Sequence, residues 1–147
     1  MTAPFPHHYQ VSVALSEASL AEGFVDSPGS ESLHVGPPPQ FGGREGHHSP
    51  EDLLLAALAT CHMTTLVALS RRASCPLLGY GARASATLAK TSEGLRFTSI
   101  GLRVEAVTQV GREQELQRLI ERAEQYCIVS KALNLTVEVE STVGTGS

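Results

Sequence analysis

The 147-residue chain predicts an α+β domain with a largely antiparallel sheet, its elements in the order β-β-β-α-β-β-α-β. Three observations carry that expectation. The run LLLAALATCHMTTLVAL, from Leu53 to Leu69, is apolar on nearly every helical face and reads as a central, covered helix. Two long segments, about residues 79–91 and 94–107, are joined by the turn TSEG and read as a hairpin. REQELQRLIERAEQYC, residues 112–127, places Leu116, Leu119, Ile120 and Ala123 at helical spacing and leaves the other face charged.

The elements follow in order. HHYQVSVAL, residues 7–15, alternates Tyr9, Val11, Val13 and Leu15, the period of a half-buried strand. SEASLAEG reads as a turn, and FVDS and SLHV, around residues 24–27 and 32–35, as two short strands. GPPPQFGGREGHH, residues 36–48, is too rich in Pro and Gly for regular structure, and a loop of that length in a small domain is often functional. Ser49-Pro50-Glu51-Asp52 is a helix start: Ser49 caps, Pro50 suits the first turn and two acids face the positive end of the dipole. The helix is expected to run from Pro50 to about Arg72. Broken alternation within residues 94–107 signals a bulge or a strand covered on both faces. IVSKAL extends the second helical segment, and LTVEVEST, residues 135–142, closes the fold as a strand. One domain spans 1–147, with a β-meander and loop over 1–48 and a helix–strand–strand–helix–strand portion over 49–147. A helix so uniformly apolar needs more cover than one small sheet supplies, which points to a second copy of the chain.

Composition narrows the function. A net charge of −4 with no basic block argues against nucleic acid or an anionic membrane as partner. The start MTAPFPHHYQ has neither the basic nor the apolar stretch of a secretory signal. Residues 53–69 fall short of the roughly 20 apolar residues of a membrane span. Three cysteines without a signal therefore indicate thiols in a reducing cytoplasm.

Cys61 is either a small core hydrophobe or a nucleophile. It lies roughly 16 Å along its helix at 1.5 Å per residue, too deep for the dipole to favour a thiolate, so it needs a side-chain cation. His62 points about 100° away around the helix. Arg44 is the first Lys or Arg of the chain, in the loop before the helix, and Glu51 stands in the first helical turn. Each has a plain alternative, a solvated loop charge for Arg44 and a dipole-complementing acid for Glu51. Cys75 reads as incidental. The pairs His7-His8 and His47-His48 point apart, and the cysteines make no zinc spacing, so no metal is expected. Cys127-x-x-Ser130 imitates a redox motif but follows a helix instead of a β-α turn.

HSPEDLLLAALATCHMTTL, the strand pair after it, ERAEQYCIVSKALN and a closing Val-rich strand together resemble the osmotically inducible protein C / organic hydroperoxide resistance (OsmC/Ohr) family. The resemblance spans nearly the whole chain. It implies an OsmC-like fold, an antiparallel sheet wrapped around central helices in an intertwined homodimer. It also implies a cysteine-based thiol peroxidase that reduces organic hydroperoxides in oxidative-stress defence, with a dithiol reductant of lipoyl type and no cofactor. On this resemblance Cys61 is the peroxidatic and Cys127 the resolving cysteine, and Glu51 the acid that pairs with a catalytic arginine. The family's arginine comes from an earlier loop. Residues 1–43 here hold no Arg or Lys, so Arg44 is the expected substitute. Ile128 stands where the family commonly has Pro, and His62 where better-studied branches carry an aromatic residue. The alternative is a non-catalytic OsmC-like dimer that binds a small molecule.

Overall fold

A computed structural model describes residues 3–147, the side chain of Leu20 aside. The chain divides into two compact units, residues 1–53 and 54–147, with the cut inside the long helix.

In the first unit, β1 (Ser12–Ser16), β2 (Ser19–Asp26) and β3 (Leu33–Val35) form an antiparallel sheet in that order. Pairs such as Ala14 with Phe24 and Phe24 with His34 set the register. Gly23 is required here, because a Cβ would stand 2.2 Å from the Ala14 carbonyl oxygen. Two expectations are corrected. Most of SEASLAEG is strand, and only its second and third residues turn the chain. Its polar composition hid a segment that backbone pairing with β1 makes a strand. Tyr9 and Val11 precede β1 and are 88% and 61% exposed.

The Pro/Gly segment after β3 contains one 3₁₀ turn, Pro39–Phe41, and is closed at its base by backbone bonds. His48 N–H donates to the His34 carbonyl (2.9 Å) and Gly36 N–H to the His48 carbonyl (3.1 Å). Gly43 passes so near the Pro37 carbonyl that a Cβ would lie 1.8 Å from its oxygen.

Helix α1 runs Pro50–Ala73 and begins as expected. Ser49 Oγ accepts from Asp52 N–H and Asp52 Oδ2 accepts from Ser49 N–H, both at 3.1 Å, a reciprocal cap.

In the second unit, β4 (Gly79–Thr91) and β5 (Gly94–Thr108) form the expected antiparallel hairpin. Of the two alternatives the imperfect alternation left open, a bulge is present: Thr87 pairs with Ser99 and Leu88 with Phe97, leaving Thr98 as the extra residue. Helix α2 (Glu113–Tyr126) and the short α3 (Ile128–Ala132) follow. Strand β6 (Val137–Thr145) then pairs with β5 in parallel, the one parallel pairing beside the antiparallel β1–β2, β2–β3 and β4–β5 pairs among the described residues. Intervening helices give the chain the length a parallel crossover needs.

Alternate residues of β5, Ile100, Leu102, Val104 and Ala106, bury one face against Leu116, Leu119, Ile120 and Ala123 of α2 and Leu58 and Leu66 of α1. Only one stripe of α1, Leu58, His62, Leu66 and Ser70, is buried, so the helix is not covered on all sides within one chain. Met63 remains 39% exposed.

Candidate functional site

In the second unit the packing of α1 against α2 brings Cys61 to Cys127. The Cys61 sulfur lies near enough to act on the Cys127 thiol. They differ in access: Cys61 is partly exposed and Cys127 fully buried. Cys127 ends α2 and caps α3, its sulfur accepting from Ser130 N–H at 3.5 Å. Burial pushes the Cys127 thiol up to about 11, and the Cys61 sulfur pushes the same way against the bonds from the α3 amides. Cys75 is buried elsewhere, 3.9 Å from Thr108 Oγ1.

His62 turns into the core. Its Nε2–H donates to the Ile120 carbonyl (3.3 Å), so Nδ1 accepts from the Tyr80 hydroxyl (2.8 Å). Burial lowers its pKa, against the Ile120 carbonyl and the Glu124 charge, so the ring is neutral. His62 is thus a fixed core group and not a base for Cys61, in keeping with its angle on the helix. The Tyr80 hydroxyl lies near Cys127 and is pushed up to about 12, first by burial and then by that neighbour. Glu124 accepts from the Ser130 hydroxyl through Oε1, while its Oε2 is buried without a partner among the described residues. Tyr80 and Glu124 were not singled out in the sequence. The Cys-x-x-Ser spacing was the one local signal pointing to this corner, and it marks a helix cap.

In the first unit, Arg44 does not pair with Glu51. Its Nε and Nη2 fork onto Glu22 Oε1 and Oε2 at 2.6 and 2.9 Å. The closed loop carries Arg44 back over β2, and Glu22 sat in a segment that reads as a turn. His34 Nε2 adds a bond to Glu22 Oε2 (2.8 Å). The Arg44 bonds, opposed by burial and helped by His34, hold the Glu22 carboxyl at about 2. Glu51 Oε2 is buried without a partner among the described residues.

With this geometry in view, a family model described as OsmC-like protein matches residues 42–142. No curated protein matches the chain. An OsmC-like protein of unknown function from Vibrio cholerae superposes with a TM-score of 0.83 at 19% identity, covering 93% of this chain and 100% of its own. An organic hydroperoxide resistance protein from Elizabethkingia anophelis gives 0.75 at 21%, covering 98% and 100%. One from Legionella pneumophila gives 0.70 at 20%, also covering 98% and 100%. At such identities the likeness establishes the fold, and with the family match over most of its length this chain belongs to the OsmC-like family.

Proposed function

We propose that the protein is a thiol peroxidase that reduces organic hydroperoxides, with Cys61 and Cys127 as its redox pair. The observation that carries this reading is the asymmetry of two neighbouring thiols, one reachable from solvent and one buried and held protonated. The Cys61 thiolate attacks the O–O bond, becoming a sulfenic acid while the alkoxide leaves and takes a proton as the alcohol. The Cys127 sulfur displaces hydroxide from that sulfenic acid, giving a disulfide. The thiol proton leaves with the hydroxide as water. A dithiol, of lipoyl type by family resemblance, then reduces the disulfide and is itself oxidised to one.

Arg44 and Glu51 complete the proposed catalytic set. In this chain Arg44 is engaged by Glu22, so service to Cys61 requires the guanidinium to exchange Glu22 for Glu51. The 72% exposure of the Arg44 side chain and the unpartnered Glu51 oxygen support that exchange. We also propose a cytoplasmic homodimer. A single chain leaves Val13 and Leu15 of β1 at 67% and 66% exposure besides the open faces of α1, more apolar surface than a monomer usually shows.

A second reading, an OsmC-like dimer that binds a small apolar ligand without catalysis, draws on one feature of the first unit. An open groove of about 630 Å³ is lined by Val13, Leu15, Val25, Val35 and Leu53.

Cumene hydroperoxide and a dithiol distinguish the two. The first reading expects stoichiometric alcohol, a Cys61–Cys127 disulfide, Cys75 left free and no turnover in Cys61→Ser. Absence of peroxide consumption, or a bridge through Cys75, overturns it.

A further inference from the structure

We propose that Glu22, His34 and His47 form a binding site for a divalent transition-metal ion of the zinc class, for which Arg44 competes at the Glu22 carboxylate. The site lies within the first unit and uses no cysteine as a ligand. One ligand-capable atom from each of the three residues lies within 4.8 Å of the others. In a tetrahedral site with metal–ligand bonds of about 2.0–2.1 Å, ligand atoms stand roughly 3.3 Å apart. His34 Nε2 stands 2.8 Å from Glu22 Oε2 and His47 Nδ1 4.0 Å from Glu22 Oε1, on either side of that value.

His47 is the residue that points to a ligand. Its side chain is 1% exposed, yet Nδ1 has no hydrogen-bond partner among the described residues. Its Nε2 donates to the Pro37 carbonyl at 2.8 Å, which puts the proton on Nε2 and leaves the Nδ1 lone pair bare. That lone pair faces Glu22 Oε1 at 4.0 Å, too far for a hydrogen bond. A ring nitrogen tied to a backbone carbonyl while the other waits with its lone pair is the arrangement metal-ligating histidines adopt. A loop anchor alone has no use for it, since the Arg44–Glu22 fork already closes the loop.

Surrounding residues hold the set in place. His34 stacks on Phe24, with ring centroids 5.2 Å apart and planes at 22°. Gly36 makes room: a Cβ there would meet His47 Nε2 at 2.8 Å and Glu22 Cγ at 3.0 Å. Access is from the His34 side, 34% exposed, and past the exposed Arg44 side chain. Two imidazoles and one carboxylate form a borderline donor set that suits zinc, cobalt or nickel better than calcium or magnesium. Three protein ligands leave a fourth position for water.

The test uses the full untagged chain with Co²⁺, followed by its d–d absorption, and Zn²⁺ in competition. One equivalent is expected to bind. His47→Phe, which keeps a ring in the buried position, loses at least about tenfold in affinity. Arg44→Gln binds more tightly than the parent, because a competing cation is gone. His7→Ala/His8→Ala and Cys61→Ser/Cys127→Ser bind as the parent does. Binding unchanged in His47→Phe, or weakened in Arg44→Gln, overturns the proposal, as does a spectrum lost with the cysteines.

Discussion

Cys127 is expected to be the slowest reactive thiol of the redox pair, and the size of the effect follows from its surroundings. Moving a thiol from the ordinary 9.0 to about 11 lowers its thiolate fraction at neutral pH about 100-fold. Intrinsic nucleophilicity rises with pKa at a slope of about 0.4–0.5 and returns roughly 6–10-fold of that loss. Ionisation alone thus slows alkylation of Cys127 by roughly tenfold against an unperturbed thiol. Complete burial slows it further, because the reagent must wait for a local opening. The assay is pulsed iodoacetamide labelling of the reduced protein between about pH 7 and 11, with each cysteine quantified by mass mapping. Cys61 is expected to label first. Cys127 labelling is expected to climb with pH without a plateau below about 10. Replacing Cys61 with Ala is expected to shift the Cys127 profile to lower pH, because the neighbouring sulfur contributes to the rise. Cys127 labelling as fast as Cys61 at neutral pH, or a plateau near 8, would refute the assignment of the buried thiol as the resolving partner.

Other outcomes test the fold and the groups behind the site. The His62 pKa is lowered in the folded state, so its contribution is present above the ordinary 6.5 and is lost as pH falls below it. Thermal melts of the parent should drop across that acidic range and those of His62→Gln should drop less. Leu66→Ala empties a fully buried position and should cost about 2–5 kcal/mol in denaturant unfolding. Ser49→Ala removes the Asp52 N–H to Ser49 Oγ half of the α1 cap and should cost about 0.5–2 kcal/mol by the same measurement. Sedimentation should show a dimer, and a stable folded monomer at micromolar concentration would exclude the second copy as the cover of α1.

The parts of the molecule that the sequence determined by itself are those set by local rules. Ser49 and Asp52 start α1 through hydrogen bonds spanning one turn, and the 3.6-residue spacing of Leu116, Leu119, Ile120 and Ala123 orients α2. The imperfect alternation within residues 94–107 left a bulge or a strand covered on both faces open, and the bulge is present at Thr98. Each depends on neighbours within a few residues, so each is visible along the chain. What only the tertiary structure decided depends on segments distant in sequence. The parallel pairing of β6 with β5 depends on the helical connection carrying the chain back to the other end of β5, and no local signal in LTVEVEST records a direction. The Ser19–Gly23 part of β2, read as a turn, is strand because it pairs back on β1. Arg44 met Glu22 and not Glu51 because the Pro/Gly loop closes at His48, seating His47 and Arg44 together over β2. Proximity in sequence favoured Glu51; the path of the backbone favoured a carboxylate 22 residues earlier, already buried and backed by His34.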